Sequence, residues 1–165
     1  MSGIKQRLFE PTGLEFHDKA YEIDKAVWDF IRFEFKNGST KAAGDKRKNS
    51  EKAVSNIPTR YWQTHAVPLH RECWQLIVSI TMANSIYPST EEDLAERRKY
   101  QQDAIGHNAN IFQLLRLILT EIPSVSANKV IKIAELAAQE NELLRAWRRS
   151  TRLTKEKKGN PPGDR

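Results

Sequence analysis

The stretch LLRAWRRSTRLTKEKK, residues 143–158, carries the side chains whose spacing best fits a defined chemistry. Apart from the adjacent pair Arg148 and Arg149, its arginines are three or four residues from a neighbour in the row: Arg145, Arg148, Arg149 and Arg152. On a helix this spacing places the side chains along one broad face. An outward row of arginines that continues into a lysine tail is a candidate phosphate-binding surface. The pattern contains no sign of base-specific readout.

Trp147 lies among these arginines and has two interpretations. It follows Leu144 by three residues, which places it on the apolar stripe of the same predicted helix. We therefore interpret Trp147 as a core anchor, and the same periodicity directs the arginines outward. The second interpretation is that the indole stacks on a nucleic-acid base.

The net charge is concentrated at the same end of the chain. The 165 residues carry a formal charge of +6, and residues 145–165 hold eight positive and two negative side chains, which accounts for the whole excess. A concentrated basic segment attracts phosphates and acidic protein surfaces better than the same charge spread thinly. The alternative is a solvated segment that keeps the protein soluble.

Further basic residues extend this candidate surface along the chain. The candidate nucleic-acid-binding residues outside the row are Arg60, Arg71, Arg97, Arg98, Lys99, Lys129, Lys132, Lys155, Lys157 and Lys158. The polar segment 36–56 also contains lysines and Arg47, but it is more typical of a disordered linker than of a binding element.

Residue patterns of enzymes are weak in this sequence. The histidines His17, His65, His70 and His107 form no metal-ligand motif. Cys73 lies on an apolar stripe, which favours a buried structural thiol over a nucleophile. There is no phosphate-binding glycine loop and no GxSxG motif. We expect a protein with no catalytic residues, no metal and no cofactor.

Four amphipathic segments must position these residues. Apolar steps of three and four predict helices over residues 14–35, about 58–86, from about 91 to 122, and 127–152. Pro68 predicts either a kink in the second helix or a start near Val67. Ser89 or Thr90 is the expected N-cap of the third helix. Its predicted stripe is Leu94, Gln101, Ala104, Ile105, Asn108, Ile111, Phe112, Leu115, Ile118, Leu119 and Ile122.

These segments predict an all-α protein, an antiparallel up-down four-helix bundle. Its parts are an arm over residues 1–13, a bundle over 14–152 with a mobile loop at 36–56, and a basic disordered tail over 153–165. One cysteine excludes an intrachain disulfide, and the chain shows neither a signal-peptide pattern nor an apolar run long enough to cross a membrane. We expect a soluble cytoplasmic protein without membrane partners.

Three stretches together carry a resemblance to a known family. In order they are IPTRYWQTHAVPLHRECWQLIVSITMANSIYP, ERRKYQQDAI and NELLRAWRRS. They resemble the accessory variability determinant proteins of diversity-generating retroelements, which belong to a wider four-helix-bundle family that includes proteins encoded in ribosomal RNA intervening sequences. The resemblance covers residues 14–152 and is most specific in the double arginine before Tyr-Gln and in the Leu-Leu-x-x-Trp-Arg-x-Ser ending.

The resemblance implies a function as well as a fold. It implies a non-enzymatic, basic bundle that assembles as a ring-like homopentamer and binds a reverse transcriptase and its template RNA, possibly as a cDNA hybrid, in mutagenic cDNA synthesis. Arg97 and Arg98 match the arginine pair of the family's third helix, and Arg145, Arg148 and Arg149 match its basic fourth-helix end. The alternative function is a protein adaptor of a mobile element that docks an acidic partner without nucleic acid.

Overall fold

The computed structural model describes residues 14–35, 57–58 and 60–154, and this part of the chain is helical with no strand. Its helices are α1 (Glu15–Glu34), α2 (Val67–Ser85), α3 (Glu91–Glu121) and α4 (Ala127–Ser150). The predicted all-α class is therefore confirmed. The predicted arm 1–13, the loop 36–56 and the tail from residue 155 onward lie outside the described residues.

The helices pack as a four-helix bundle around one core. α1 packs against α2 and α4, and α3 packs against α2 and α4, with the most extensive contact between α2 and α3. One apolar cluster takes buried side chains from all four helices. Burial of these apolar stripes is the main source of stability for helices of this length.

α1 forms as its apolar spacing predicts. Its buried side chains recur at steps of three and four residues: Ala20, Ile23, Val27, Phe30 and Ile31. Trp28 and Phe33 lie off this stripe and are exposed to solvent. These two large aromatic side chains therefore lie on the outer surface of α1.

The start of α2 shows how the chain accommodates Pro68. Arg60 and Tyr61 are helical, a π-helical turn covers Trp62–Ala66, and the backbone continues without a break into the regular α-helix at Val67, so the structure combines the two predicted alternatives. The ring of Pro68 would clash with the carbonyl group four residues earlier in a regular helix, and the wider π turn separates the two groups. The same turn buries His65, whose Nε2 lies 3.0 Å from Glu121 Oε2.

A reciprocal pair of hydrogen bonds fixes the start of α3. The Asp93 backbone N–H donates to Thr90 Oγ1 at 3.1 Å, and the Thr90 N–H donates to Asp93 Oδ2 at 3.0 Å. Thr90 is therefore the N-cap, one of the two predicted candidates, and Asp93 completes a capping box. Ser89 Oγ also donates to Asp93 Oδ2, and hydrogen bonds from Ser89 and Thr90 lower the pKa of this carboxyl group.

For two residues of α3, the prediction that they belong to the buried stripe is wrong. Phe112 is 45% exposed and Leu119 is 39% exposed. Each directly follows a buried isoleucine, Ile111 or Ile118. A helix rotates by roughly 100° per residue, so the position after a buried residue turns away from the core. An apolar patch on the outer surface of α3 is the result.

α4 contains a glutamate within its apolar stripe. Val130, Ile133, Ala137 and Leu144 are buried as predicted, and Glu140 between them is fully buried. Neither of its carboxyl oxygens has a hydrogen-bond partner among the described residues. Burial raises the pKa of Glu140 to about 9, because desolvation disfavours the charged form. Glu140 therefore carries a proton at neutral pH.

Candidate nucleic-acid interface

The point at which α4 ends determines which arginines share its outer face. The helix ends at Ser150 rather than at Arg152. The hydroxyl groups of Ser150 and Thr151 donate to the Trp147 carbonyl at 2.8 and 3.0 Å, and Thr151 has an extended backbone. Side-chain hydrogen bonds of this kind compete with the helical ladder. Arg152 is therefore not on the helical face that Arg145, Arg148 and Arg149 share.

α3 anchors the residue at which α4 stops. Gln101 Nε2 donates to Thr151 Oγ1 at 2.8 Å, and Arg98 Nη2 donates to the Thr151 carbonyl oxygen at 3.1 Å. Further along, the Thr154 N–H donates to the Pro88 carbonyl at 2.9 Å. These contacts hold the chain after α4 against the beginning of α3. They also bring Arg98 beside the arginines of α4.

We refer to the five exposed arginines at this location as the basic end. It consists of Arg98, Arg145, Arg148, Arg149 and Arg152. Arg145 Nε donates to Asn141 Oδ1 at 3.2 Å, and within the described part of the chain none of the five forms an ion pair with a carboxylate. Lys99 is exposed next to Arg98. Unpaired guanidinium groups on a fixed backbone can contact phosphates without first breaking an internal salt bridge.

Trp147 packs within the bundle, as the sequence interpretation proposed. Its indole stacks on the Phe16 ring with centroids 4.2 Å apart and an interplanar angle of 16°. The Arg97 guanidinium carbon lies 5.7 Å from the indole centroid, and Arg97 Nη1 donates to the Ile86 carbonyl at 2.8 Å. Partial burial lowers the pKa of Arg97. Arg97 thus joins α3 to the end of α2, a structural role that the sequence pattern did not indicate.

The remaining predicted cations do not join the basic end. Lys129 lies twenty residues before Arg149 on α4, which corresponds to roughly 30 Å along the helix axis. Lys129 Nζ is also paired with Glu34 Oε1 at 2.6 Å. Arg60 Nη2 donates to the hydroxyl of Tyr61, which itself donates to the backbone of Glu121. Arg71 and Lys132 are exposed on other surfaces, and Lys155, Lys157 and Lys158 lie outside the described residues.

A second group of exposed residues was not recognised as a site from the sequence. Tyr21 and Trp28 on α1 and Trp74 on α2 expose large aromatic rings. The signal was present, because Trp28 lies off the apolar stripe of α1 and Trp74 lies beside that of α2. Their relation to one another depends on how α1 and α2 pack.

Metal and thiol chemistry have little support in the described part of the chain. No three His, Cys, Asp or Glu side chains come together there in a way that could hold a metal ion. His107 Nδ1 instead pairs with Glu72 Oε2 at 2.8 Å, and Cys73 is fully buried. Burial raises the pKa of the Cys73 thiol, which keeps it protonated and unreactive.

Among the described helices, none combines the length and the apolar character needed to cross a membrane. Comparison of the chain with models of known protein families found no match. Comparisons with curated proteins and with solved structures likewise found none.

Proposed function

We propose that this chain is a non-enzymatic nucleic-acid-binding accessory protein that partners a reverse transcriptase and its template RNA in the mutagenic cDNA synthesis of a diversity-generating retroelement. The observation that carries nucleic-acid binding is the basic end, where arginines from α3 and α4 are exposed and have no acidic partner among the described residues. The reverse transcriptase and the template RNA rest on the sequence resemblance. Cytoplasmic location is part of the same proposal.

The proposed mechanism is electrostatic. Each arginine that contacts a phosphate releases condensed counterions, so affinity depends strongly on salt and weakly on sequence. The Thr151 contacts hold Arg98 and Arg152 close to the α4 arginines before ligand arrives, which reduces the ordering cost of binding. The basic end therefore positions the nucleic acid, and recognition of a particular RNA falls to the polymerase or to another surface.

A purely structural explanation accounts for only part of the basic end. Cations in the last helical turn stabilise a helix by interacting with its macrodipole, and Arg148 and Arg149 lie in the last turn of α4. Arg98 lies in the first third of α3, and Arg152 lies beyond the end of α4. Arg98 Nη2 nevertheless donates to the Thr151 carbonyl at the C-cap of α4, and Arg152 follows directly, so both cations also complement this dipole. Arg145 lies more than one turn before the end of α4, beyond the range of the dipole effect, and its exposure favours a ligand-binding role for the cluster.

The finer architecture is also proposed. We infer that the bundle runs up and down with antiparallel neighbours, and that it assembles as a ring-like homo-oligomer, a pentamer by resemblance. Contacts between opposite helix ends support the antiparallel arrangement, since Phe16 meets Trp147 and Glu34 meets Lys129. The exposed Phe112 supports assembly through α3, because a second copy can cover apolar surface that the single chain exposes.

The test of the basic end is RNA binding across a salt series. The variant Arg145→Glu, Arg148→Glu, Arg149→Glu should bind RNA at least roughly tenfold more weakly, and its log–log salt slope should fall by about 2, because three phosphate contacts are lost. The matched control reverses three exposed cations elsewhere, Arg60, Arg116 and Lys132, with the same change in net charge. Equal losses in both variants would contradict a localised site.

The adaptor alternative predicts a different result. Here the basic end docks an acidic protein, and nucleic acid has no part in the complex. Pull-down of reverse transcriptase with and without nuclease separates the two functions. Capture that survives nuclease, together with unchanged RNA affinity of the Arg145/Arg148/Arg149 variant, would favour the adaptor.

A further inference from the structure

Aromatic and basic side chains alternate along the outer surface of α1. They are Tyr21, Lys25, Trp28 and Arg32, at steps of four, three and four residues. These steps keep all four side chains within roughly 60° of one another around the helix. All four are exposed, and the fractions for Tyr21 and Trp28 are 51% and 47%. The repeat is separate from the buried stripe and does not contribute to the core.

α2 extends this pattern across the helix pair. The His70 ring lies 5.3 Å from the Trp28 ring, centroid to centroid. Trp74 lies one helical turn after His70 on the same side of α2, and it is 59% exposed. Arg71, also exposed, is three residues before Trp74. We refer to Tyr21, Lys25, Trp28, Arg32, His70, Arg71 and Trp74 as the aromatic face.

The charges on the aromatic face favour an anionic ligand. Lys25, Arg32 and Arg71 form no ion pair with any residue that the structure describes. The acidic residues nearby on α1 are Asp18, Glu22, Asp24 and Asp29; Glu22 Oε2 lies 2.7 Å from Lys19 Nζ, and Asp24 Oδ1 lies 3.5 Å from His70 Nε2. The three cations therefore stand among exposed aromatic rings, and Glu22 and Asp24 already have basic partners.

We propose that the aromatic face is a second nucleic-acid site, which binds unpaired bases of single-stranded RNA by stacking on Trp28 and Trp74. Lys25, Arg32 and Arg71 contact the phosphates between the stacked bases. Proteins that hold single strands without sequence preference combine aromatic platforms and cations in this way. The inference rests on the proposed nucleic-acid-binding function, but it concerns a surface distinct from the basic end.

A protein partner fits the same surface less well. Tryptophan, tyrosine and arginine are also common in protein interfaces, so the discriminating residue is Lys25, which lies between the two aromatic side chains of α1, because lysine is depleted at interface centres. A duplex also fits less well, because its bases are stacked on each other and are not available to aromatic side chains. The combination of exposed indoles and unpaired cations favours a strand whose bases are free.

The test uses the full chain and two probes, a uridine oligonucleotide of about 15 nucleotides and an RNA duplex of similar length. The variant Trp28→Ala, Trp74→Ala should bind the single strand roughly 10- to 100-fold more weakly, with an unchanged salt slope and unchanged duplex affinity. The control variant Phe33→Ala, Tyr87→Ala removes two exposed aromatic rings outside the aromatic face and should bind both probes like the wild type.

A spectroscopic measurement reports on stacking directly. The single strand should quench the tryptophan fluorescence of the wild type. The variant Trp28→Phe, Trp74→Phe should keep most of the affinity and lose most of the quenching, because Phe still stacks while Trp62 and Trp147 pack against the core. Quenching that persists in this variant would overturn the proposal.

The other possible results of these experiments distinguish failure of the aromatic face from failure of the proposed function. Wild-type affinity of Trp28→Ala, Trp74→Ala for the single strand would overturn the aromatic face, and loss of RNA by the Arg145/Arg148/Arg149 variant would still support the proposed function. If both variants bind RNA normally, both proposals fail. If the alanine variant keeps RNA but loses a nuclease-resistant protein partner or falls in molecular mass, the face contacts protein or a second copy and the proposal is overturned.

Discussion

The aromatic ring of Phe16, in the first turn of α1, stacks on the indole of Trp147 near the end of α4, with ring centroids 4.2 Å apart and an interplanar angle of 16°. The contact joins the two helices at the same end of the bundle that carries the exposed arginines. Offset aromatic stacking contributes free energy beyond the burial of area alone. The stack therefore stabilises the segment on which the basic end depends.

Replacing Trp147 should mainly change stability. We expect Trp147→Ala to lower the free energy of unfolding by about 2–4 kcal/mol, because the substitution removes a partly buried ring and its stacking contact with Phe16. Trp147→Phe keeps an aromatic ring and should cost less. Urea unfolding measures both. A loss of RNA affinity without a loss of stability would instead indicate that Trp147 stacks on bases.

Thr151 can be tested by a substitution of nearly equal shape. Thr151→Val removes the hydroxyl group that accepts from Gln101 and leaves that buried amide without an acceptor, which should cost about 1–3 kcal/mol of unfolding free energy. Thr151→Ser retains the hydroxyl group and should cost less. Urea unfolding checks stability, and an RNA titration should show weaker binding by Thr151→Val. Identical stability of the two variants would show that the Gln101 bond contributes little.

The raised pKa of Glu140 predicts that the free energy of unfolding decreases as the pH rises. Because the folded state raises the pKa of Glu140 from 4.5 to about 9, folding retains a proton that the unfolded chain releases. The associated stability is fully present below the unfolded-state pKa and is lost as the pH rises towards the folded-state pKa. We expect the free energy of unfolding of the wild type to fall between about pH 5 and pH 9.

Substitution at Glu140 should remove that pH dependence. Glu140→Gln cannot ionise and should flatten the curve, and Glu140→Met should raise stability at alkaline pH by roughly 1–4 kcal/mol, since an apolar side chain suits the buried site. Glu135→Gln, an exposed control on the same helix, should leave the curve unchanged. Urea midpoints measured at mildly acidic and alkaline pH decide the matter. The same slope in Glu140→Gln as in the wild type would assign the pH dependence to another group.

The proposed assembly through α3 can be tested separately from folding. The variant Phe112→Ser, Leu119→Ser changes side chains that are exposed in the single chain, so its unfolding free energy should stay within roughly 0.5 kcal/mol of the wild type. Its mass by sedimentation should fall towards that of one chain. Leu117→Ser, at an exposed position on a different side of α3, is the control. An unchanged mass in the double variant would place the assembly surface elsewhere.

The local features of the fold could be predicted because their causes lie within a few residues. Thr90 caps α3 through a hydrogen bond with Asp93, three positions away. The regular part of α2 begins beside Pro68, because the proline ring would clash with the carbonyl group four residues earlier in a regular helix. Ile23, Val27 and Ile133 are buried because the helical repeat puts them on one face. Phe112 was wrongly predicted to be buried, because the sequence does not show whether an apolar side chain beside the stripe faces a neighbouring helix or solvent.

Local sequence patterns were enough to predict the helices, most of their buried faces and the excess of positive charge at one end of the chain. Which charges lie together depends on how the helices pack. Arg98 joins the arginines of α4 because its guanidinium reaches Thr151, 53 residues later, while its neighbour Arg97 turns to Ile86 and Trp147. The packing of helices also buries Glu140 and brings the Trp28 ring into contact with the His70 ring. Helical periodicity sets the direction of a side chain, but its partners are set by the packing of helices distant in sequence.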